Sequence, residues 1–158
     1  MSKLVKLDIG GGKYKRDEDY ISVDLFGDMD VKATMWALPF LDNSVDFIWS
    51  SHTLEHCPRD KVITTLFEWL RVLKPGGRVI IGLPNFDYVA RYWLTGPDRN
   101  WAEQMVYGEQ VTEGEFHRTA FTPQILKLDL EGVGFKVLRS ELRWSYNQEH
   151  IQTTAMKP

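Results

Sequence analysis

The polar and apolar positions divide the chain into short strands and a few stretches of helical spacing. Leu4, Val5, Leu7 and Ile9 form an apolar run that carries Asp8 and passes into Gly10-Gly11-Gly12. This is the pattern of a buried strand opening into a loop whose backbone approaches another group closely, most simply a nucleotide-like cofactor. Tyr20 to Leu25 alternates, carries β-branched residues and reaches Asp24 near its end, which predicts a second strand. Only residues 13–20 separate the two, too few for the helical crossover of about a dozen residues that a parallel pair normally uses. Val31 to Thr34 predicts a short third strand and Val45 to Ser51 a fourth. From Asp60 on, Val62, Ile63, Leu66, Phe67, Leu70 and Leu73 recur at helical spacing until Lys74-Pro75-Gly76-Gly77 stops the helix. Arg78 to Pro84 is the near-continuous apolar run of a strand covered on both faces. Residues 86–108 read as two helices broken at Gly96-Pro97. Thr122-Pro123 opens another helix, which Gly132 or Gly134 closes. Phe135 to Leu142 and Ile151 to Met156 are the last strands. The polar turn between them, around Tyr146-Asn147-Gln148, is too short for a crossover, so the final strand runs antiparallel to its neighbour.

Composition leaves this picture as one unit. No repeat, low-complexity tract or linker interrupts it, and residues 1–158 form a single domain long enough to bury about two thirds of its unfolded surface. The single cysteine, Cys57, excludes an intrachain disulfide framework and makes a reducing, cytoplasmic setting the expectation. Cys57 reads as a buried residue rather than a nucleophile. No stretch approaches the roughly 18 apolar residues of a membrane span. A net charge of -3 gives no general attraction to nucleic acid, and Lys13, Lys15 and Arg16 form only a local basic patch.

Six segments occur in a telling order: Leu7-Asp8-Ile9-Gly10-Gly11-Gly12, Val23-Asp24, Leu38-Pro39-Phe40 with Asp42-Asn43-Ser44-Val45-Asp46, His52-Thr53-Leu54-Glu55-His56, Arg71-Val72-Leu73-Lys74-Pro75-Gly76-Gly77, and the terminal Met156-Lys157-Pro158. Together they resemble the class I, Rossmann-like S-adenosylmethionine-dependent methyltransferases of the "methyltransferase domain 11" type. The resemblance implies an α/β, Rossmann-like three-layer sandwich with a mostly parallel seven-stranded sheet and an antiparallel last strand, in a minimal version lacking N-terminal helices. It implies S-adenosyl-L-methionine as cofactor and transfer of a methyl group to an oxygen or nitrogen of an acceptor. Asp24 would accept hydrogen bonds from the ribose hydroxyls. Asp8 and the backbone of the Gly10, Gly11 and Gly12 loop would face the methionine portion. Leu25, Met35 and Trp36 would enclose the adenine, and Ser50 and Ser51 would lie near the sulfonium. Thr34 stands where the family often has an acid that reads the adenine amine.

His52, Glu55 and His56 fall at i, i+3 and i+4, and share one face if they open a helix. With His117 they resemble the ligand set of the small-RNA 2′-O-methyltransferases, in which a Glu-x-x-Glu-His segment and a later His bind a divalent metal; here His52 replaces the first Glu. Imidazoles and a carboxylate suit Zn, Fe, Ni or Mn better than Mg. A simpler role for His52 or His117 is that of general base beside the acceptor. Arg91, Tyr92, Trp93, Trp101, Tyr107 and Arg118 occupy the segment that covers the acceptor in this fold. Val106-Tyr107-Gly108-Glu109-Gln110 with Phe116-His117-Arg118 resembles small methyltransferases of polysaccharide or sugar-nucleotide synthesis. A small-molecule or sugar-like acceptor is therefore expected ahead of nucleic acid, with no membrane partner. Met1 to Lys6 is too short for the helices that often precede the first strand, so the cofactor site is expected to be open there or closed by a second copy in a homodimer. One rival is a catalytically weak or inactive regulatory domain that binds S-adenosylmethionine or S-adenosylhomocysteine. A nicotinamide-dependent oxidoreductase could also use the glycine loop and Asp24, but fits Leu38-Pro39-Phe40 and the antiparallel last strand less well.

Overall fold

The computed structural model describes residues 3–12, 16–145 and 148–158. Leu7 and Ile9 put their side chains out of water on β1 (Lys6–Ile9), which becomes the middle of the sheet because it pairs in parallel with β2 (Ile21–Asp24) on one side and β4 (Val45–Ser51) on the other. The short β3 (Val31–Lys32) adds to β2, and β5 (Leu73–Pro84) adds to β4, again in parallel. β6 (Lys136–Ser145) and β7 (Gln148–Met156) form a hairpin whose second strand inserts between β5 and β6, antiparallel to both. The order is β3-β2-β1-β4-β5-β7-β6, with an antiparallel last strand as the sequence predicted.

Four α-helices occur among the described residues: α1 (Val62–Val72), α2 (Phe86–Thr95), α3 (Arg99–Tyr107) and α4 (Pro123–Val133). Val62, Leu66, Trp69 and Val72 of α1 join Leu126, Leu130 and Val133 of α4 in the core that also holds Val45, Ile48, Val79 and Ile81. The Thr122 side chain accepts from Ile125 N–H, and Gly134 at φ +115° ends α4 by donating to the Leu130 and Glu131 carbonyls, so the second of the two candidate glycines is the stop. The break between α2 and α3 falls at Gly96-Pro97 as read from sequence; the Asp98 side chain then caps α3 by accepting from Trp101 N–H.

Several boundaries differ from the sequence reading. β3 stops at Lys32 rather than Thr34, because Thr34 bridges to Ala37 instead of continuing along β2. Residues 59–61 form a 3-10 turn and α1 starts at Val62, because the α-helical spacing of apolar residues begins only there. β5 begins at Leu73 rather than Arg78, since Leu73 pairs with Val45 before a register shift carries the strand past Gly76 and Gly77. The hairpin strands are longer than their apolar cores, because antiparallel pairing continues through polar residues to Ser145 and Gln148. Tyr146 and Asn147 of the expected turn lie outside the described residues, as do Met1, Ser2, Lys13 and Lys15. Residues 16–20 are bends and turns, and no α-helix lies between β1 and β2, β2 and β3, or β3 and β4 among the described residues. Arg16 places its guanidinium 3.5 Å from the centre of the Trp49 ring, a cation–π contact. No helix among the described residues is long and apolar enough to cross a membrane.

Candidate functional site

At the carboxyl ends of β1 and β2 lies a cleft of about 480 Å³, within the range of small-ligand sites. Its floor is the loop that the glycines open. Gly10 has φ +80° and donates to the Val23 carbonyl at 2.9 Å, which ties the loop to β2. A Cβ at Gly10 would stand 2.1 Å from Thr53 Oγ1, so no larger residue fits. Thr53 in turn is fixed by donating from Oγ1 to the Ile9 carbonyl at 3.0 Å. Gly12, at φ +55°, donates to Asp24 Oδ2 at 2.9 Å, while Asp24 Oδ1 accepts from Leu25 N–H at 2.6 Å and Phe26 N–H at 3.1 Å. Three backbone donors thus aim the Asp24 carboxylate into the cleft and occupy three of its roughly four acceptor sites.

The opposite wall is the segment Ala33 to Trp36, held from behind by α1. Trp69 Nε1–H donates to the Met35 carbonyl at 2.9 Å. Glu68 Oε1 accepts from Leu38 N–H at 2.7 Å, and Arg71 donates to the Leu38 and Phe40 carbonyls, to Glu68 and to Asp42. The two carboxylates hold the Arg71 guanidinium above its ordinary pKa, and Arg71 holds the Glu68 carboxyl below its own. The Leu38-Pro39-Phe40 and Arg71 motifs are therefore two halves of one clamp that sets the position of Met35 and Trp36.

Beyond β4 the chain turns sharply at His52, whose φ of +53° is uncommon for a side-chain-bearing residue, and enters the 3-10 turn Leu54–His56. This turn is laced to the segment before α4. Arg118 N–H and Thr119 N–H donate to the Glu55 carbonyl at 2.7 and 3.0 Å, and His117 N–H donates to the Tyr107 carbonyl at 3.0 Å. Gly108 permits the second join: a Cβ there would overlap the Glu115 carbonyl oxygen. The lacing brings Glu55, His56 and His117 together, with one ligand-capable atom from each within 4.8 Å of the others.

Glu55 is 3 % exposed. His52 Nδ1 lies 3.2 Å from Glu55 Oε1, an ion-pair contact off the axis of a good hydrogen bond, and neither carboxylate oxygen accepts a hydrogen bond among the described residues. Burial pushes the Glu55 carboxyl up, but the neighbouring His52 and His56 imidazoles outweigh it and leave the pKa below the usual value. Burial pushes the His117 imidazole down, only partly offset by the charge of Glu55, so it stays neutral at physiological pH. A second cavity of about 250 Å³ adjoins this cluster, lined by Glu55 and His117, by Phe86 and Val89 of α2 and by Met105 and Tyr107 of α3. Arg118 lines both cavities.

Of the residues singled out from sequence, Gly10, Gly12, Asp24, Leu25, Met35, Trp36, His52 and His56 line the cleft. Gly11 stands between two lining glycines. Asp8 does not line it: at 3 % exposure its Oδ2 accepts from Arg16 N–H at 2.8 Å, bracing the loop from beneath. Ser50 is buried on β4, and Ser51 faces Gly82 of β5, outside the cleft lining. Thr34 keeps its hydroxyl buried and unbonded among the described residues. Cys57 is buried, its sulfur 3.3 Å from Thr65 Oγ1, and burial pushes the thiol up. Tyr107 and Arg118 of the expected acceptor cover line the second cavity. Tyr92 and Trp101 meet edge-on with centroids 4.4 Å apart.

Sequence reading missed three contributors. Thr53 belongs to the His52–His56 motif, but its fit against Gly10 has no local signal. Thr112 to Glu115 forms a reciprocal capping box whose Thr-x-x-Glu spacing is legible, and Glu113 and Gly114 close one end of the cleft. His150, buried on β7, packs edge-to-face on His52 with centroids 4.7 Å apart, because β7 inserts beside β5.

Comparison with known proteins agrees with this geometry. Residues 5–81 match the methyltransferase domain family. A 53-residue stretch is 51% identical to an uncharacterised methyltransferase of Mycobacterium tuberculosis, covering 34% of this chain and 20% of that protein, so the match spans about a fifth of its curated relative. A methyltransferase structure from Methanosarcina mazei superposes with a TM-score of 0.71 at 18% identity, covering 99% of this chain and 94% of that one. A Burkholderia thailandensis 1,6-didemethyltoxoflavin-N1-methyltransferase, solved with S-adenosylhomocysteine, gives 0.70 at 20% identity over 97% and 70%. The family match covers residues 5–81, just under half of the chain, and with this sheet order the fold is that of the Rossmann-like S-adenosylmethionine-dependent methyltransferases.

Proposed function

We propose that the chain binds S-adenosyl-L-methionine in the larger cleft and transfers its methyl group to an oxygen or nitrogen of a small acceptor held in the second cavity. One observation carries this reading: the two cavities meet at Arg118 and the Glu55 turn, so a sulfonium at the inner end of one can face a nucleophile in the other. Asp24 has a lone pair left for a ribose hydroxyl, and Leu25, Met35 and Trp36 offer apolar surface to an adenine. Methyl transfer from a sulfonium is an in-line displacement on an activated carbon, and the protein's main contribution is near-attack geometry. An acceptor in the second cavity faces Glu55 and His117, the polar groups placed to relieve it of a proton. His52 lies on the cofactor side and is ion-paired to Glu55. The mostly apolar walls and small volume favour a compact neutral acceptor over a nucleic acid strand.

Calorimetric titration with S-adenosylhomocysteine tests the reading. A one-to-one complex that weakens in Asp24→Ala supports it; no heat at millimolar ligand overturns it. The regulatory alternative separates at the next step: a chain that binds the cofactor yet never consumes it across a panel of hydroxyl and amine acceptors is a sensor, not an enzyme.

A further inference from the structure

We infer that Glu55, His56 and His117 form a binding site for a divalent first-row transition ion at the junction of the two cavities. The set is narrower than the four residues expected from sequence, because His52 is turned toward Glu55 and His150.

Three independent features define it. First, the ligand-capable atoms converge within 4.8 Å, about 1.4 Å more than the ~3.4 Å separations around a tetrahedral ion held at ~2.1 Å, a gap that side-chain rotation can close. Second, both imidazoles have their outer nitrogen committed to backbone. His56 Nδ1 lies 3.1 Å from the Phe116 carbonyl and His117 Nδ1 lies 2.9 Å from the Met105 carbonyl. A carbonyl only accepts, so each Nδ1 carries the proton and each Nε2 presents a lone pair, the arrangement that fixes metal-ligating histidines. The two rings meet edge-to-face with centroids 4.9 Å apart. Third, the Glu55 carboxylate is buried beside the second cavity, and its one charged contact is the His52 imidazole at 3.2 Å from Oε1, with no well-formed hydrogen bond to either oxygen among the described residues. A buried carboxylate so thinly partnered is costly, and a cation on its other side satisfies it.

Two imidazoles and one carboxylate are the donor set of catalytic zinc and of non-haem ferrous sites, and leave coordination positions open. The hard, all-oxygen preference of Mg²⁺ does not match it. With an ion bound, Glu55 and His117 would act as ligands instead of as bases, and an oxygen or nitrogen of an acceptor in the second cavity, which both residues line, could complete the coordination and become more acidic. That consequence rests on the proposed methyl transfer; the metal site itself does not.

The experiment is zinc titration of untagged, EDTA-stripped and dialysed protein by calorimetry, with Co²⁺ as a spectroscopic probe. The expected result is one Zn²⁺ per chain, a Co²⁺ spectrum with visible ligand-field bands, and weakening of at least about 100-fold in His56→Gln, His117→Gln and Glu55→Gln, with Cys57→Ser unchanged. Each variant is checked for wild-type circular dichroism. If a histidine variant does not fold, Glu55→Gln, which keeps shape and removes only charge, decides alone. Absence of binding at 100-fold excess zinc, or binding that these variants leave intact, overturns the site. Titration of the same samples with S-adenosylhomocysteine separates the two readings: loss of one signal with the other intact identifies which has failed.

Discussion

Gly10→Ala is the sharpest perturbation of the cofactor loop. The new methyl group would sit 2.1 Å from Thr53 Oγ1, 2.2 Å from its Cγ2 and 2.7 Å from its Cβ, at a backbone φ of +80°. The left-handed conformation costs a side-chain-bearing residue about 1–2 kcal/mol. Forcing a methyl into a filled space costs about 1–3 kcal/mol more. Thr53 cannot retreat freely, since its hydroxyl is bonded to the Ile9 carbonyl and its side chain is pinned between β1 and the cleft. A total of roughly 2–5 kcal/mol corresponds, at about 2–4 °C per kcal/mol for a chain of this size, to a fall in Tm of roughly 5–15 °C. Thr53 also lines the cleft, so affinity for S-adenosylhomocysteine should fall by at least about tenfold. The assay is thermal unfolding with calorimetry, on the single variants and on the double variant with Thr53→Ala. Thr53→Ala removes the two nearest atoms, so Gly10→Ala should cost about 1–2 kcal/mol less in that background, while the conformational part persists. A Gly10→Ala protein with unchanged Tm and affinity, or strict additivity with Thr53→Ala, would refute the close-packing argument.

Three further outcomes follow from the same structure. Asp24→Asn places an amide where Gly12 N–H donates to Oδ2, and should weaken S-adenosylhomocysteine binding by roughly 10- to 100-fold, the worth of a charge-assisted hydrogen bond, as read by calorimetry. Arg71→Met releases the Leu38 and Phe40 carbonyls and two carboxylates; because the side chain is 34% exposed the loss belongs near the low end, about 1–2 kcal/mol in urea unfolding, with cofactor affinity falling several-fold as the Met35–Trp36 wall loosens. Acid should destabilise the fold. Asp46, paired with Lys74 and Val5 N–H, and Glu68, paired with Arg71 and Leu38 N–H, both have carboxyl pKa values below their ordinary ones. Their stabilisation is present above about pH 4 and is lost as pH falls through the lowered folded values. Unfolding free energies between pH 3 and 6 should fall less steeply in Asp46→Asn/Glu68→Gln; an identical slope would discard this assignment.

Local features were legible where chain conformation and chemistry coincide. Gly10, Gly12 and Asp24 sit at strand ends and in turns, where glycine and an acid have direct conformational meaning, and the alternation of β2 and the cap at Thr122 needed no tertiary knowledge. The Leu38-Pro39-Phe40 loop was recognisable as a motif, but not that Glu68 and Arg71 hold it, since that clamp joins residues about 30 apart. Asp8 carried the same signal as Asp24, and only its burial under Arg16 shows that it braces the loop instead of lining the cleft. His150 lies nearly 100 residues from His52 and meets it only because the last strand inserts beside β5. The β6–β7 hairpin outran its apolar pattern for a related reason: antiparallel pairing continues on backbone hydrogen bonds after the hydrophobic alternation has ended.

The most direct test of the account is the ¹H–¹⁵N spectrum of the labelled chain during titration with S-adenosylhomocysteine. A cofactor cradled by the glycine loop, Asp24 and the clamped wall should shift the amides of Gly10, Gly12, Leu25, Phe26, Met35 and Trp36, together with the Trp36 indole, and leave those of α4 and the outer strand β6 in place. Shifts confined to other faces of the sheet, or none at saturating ligand, would contradict it.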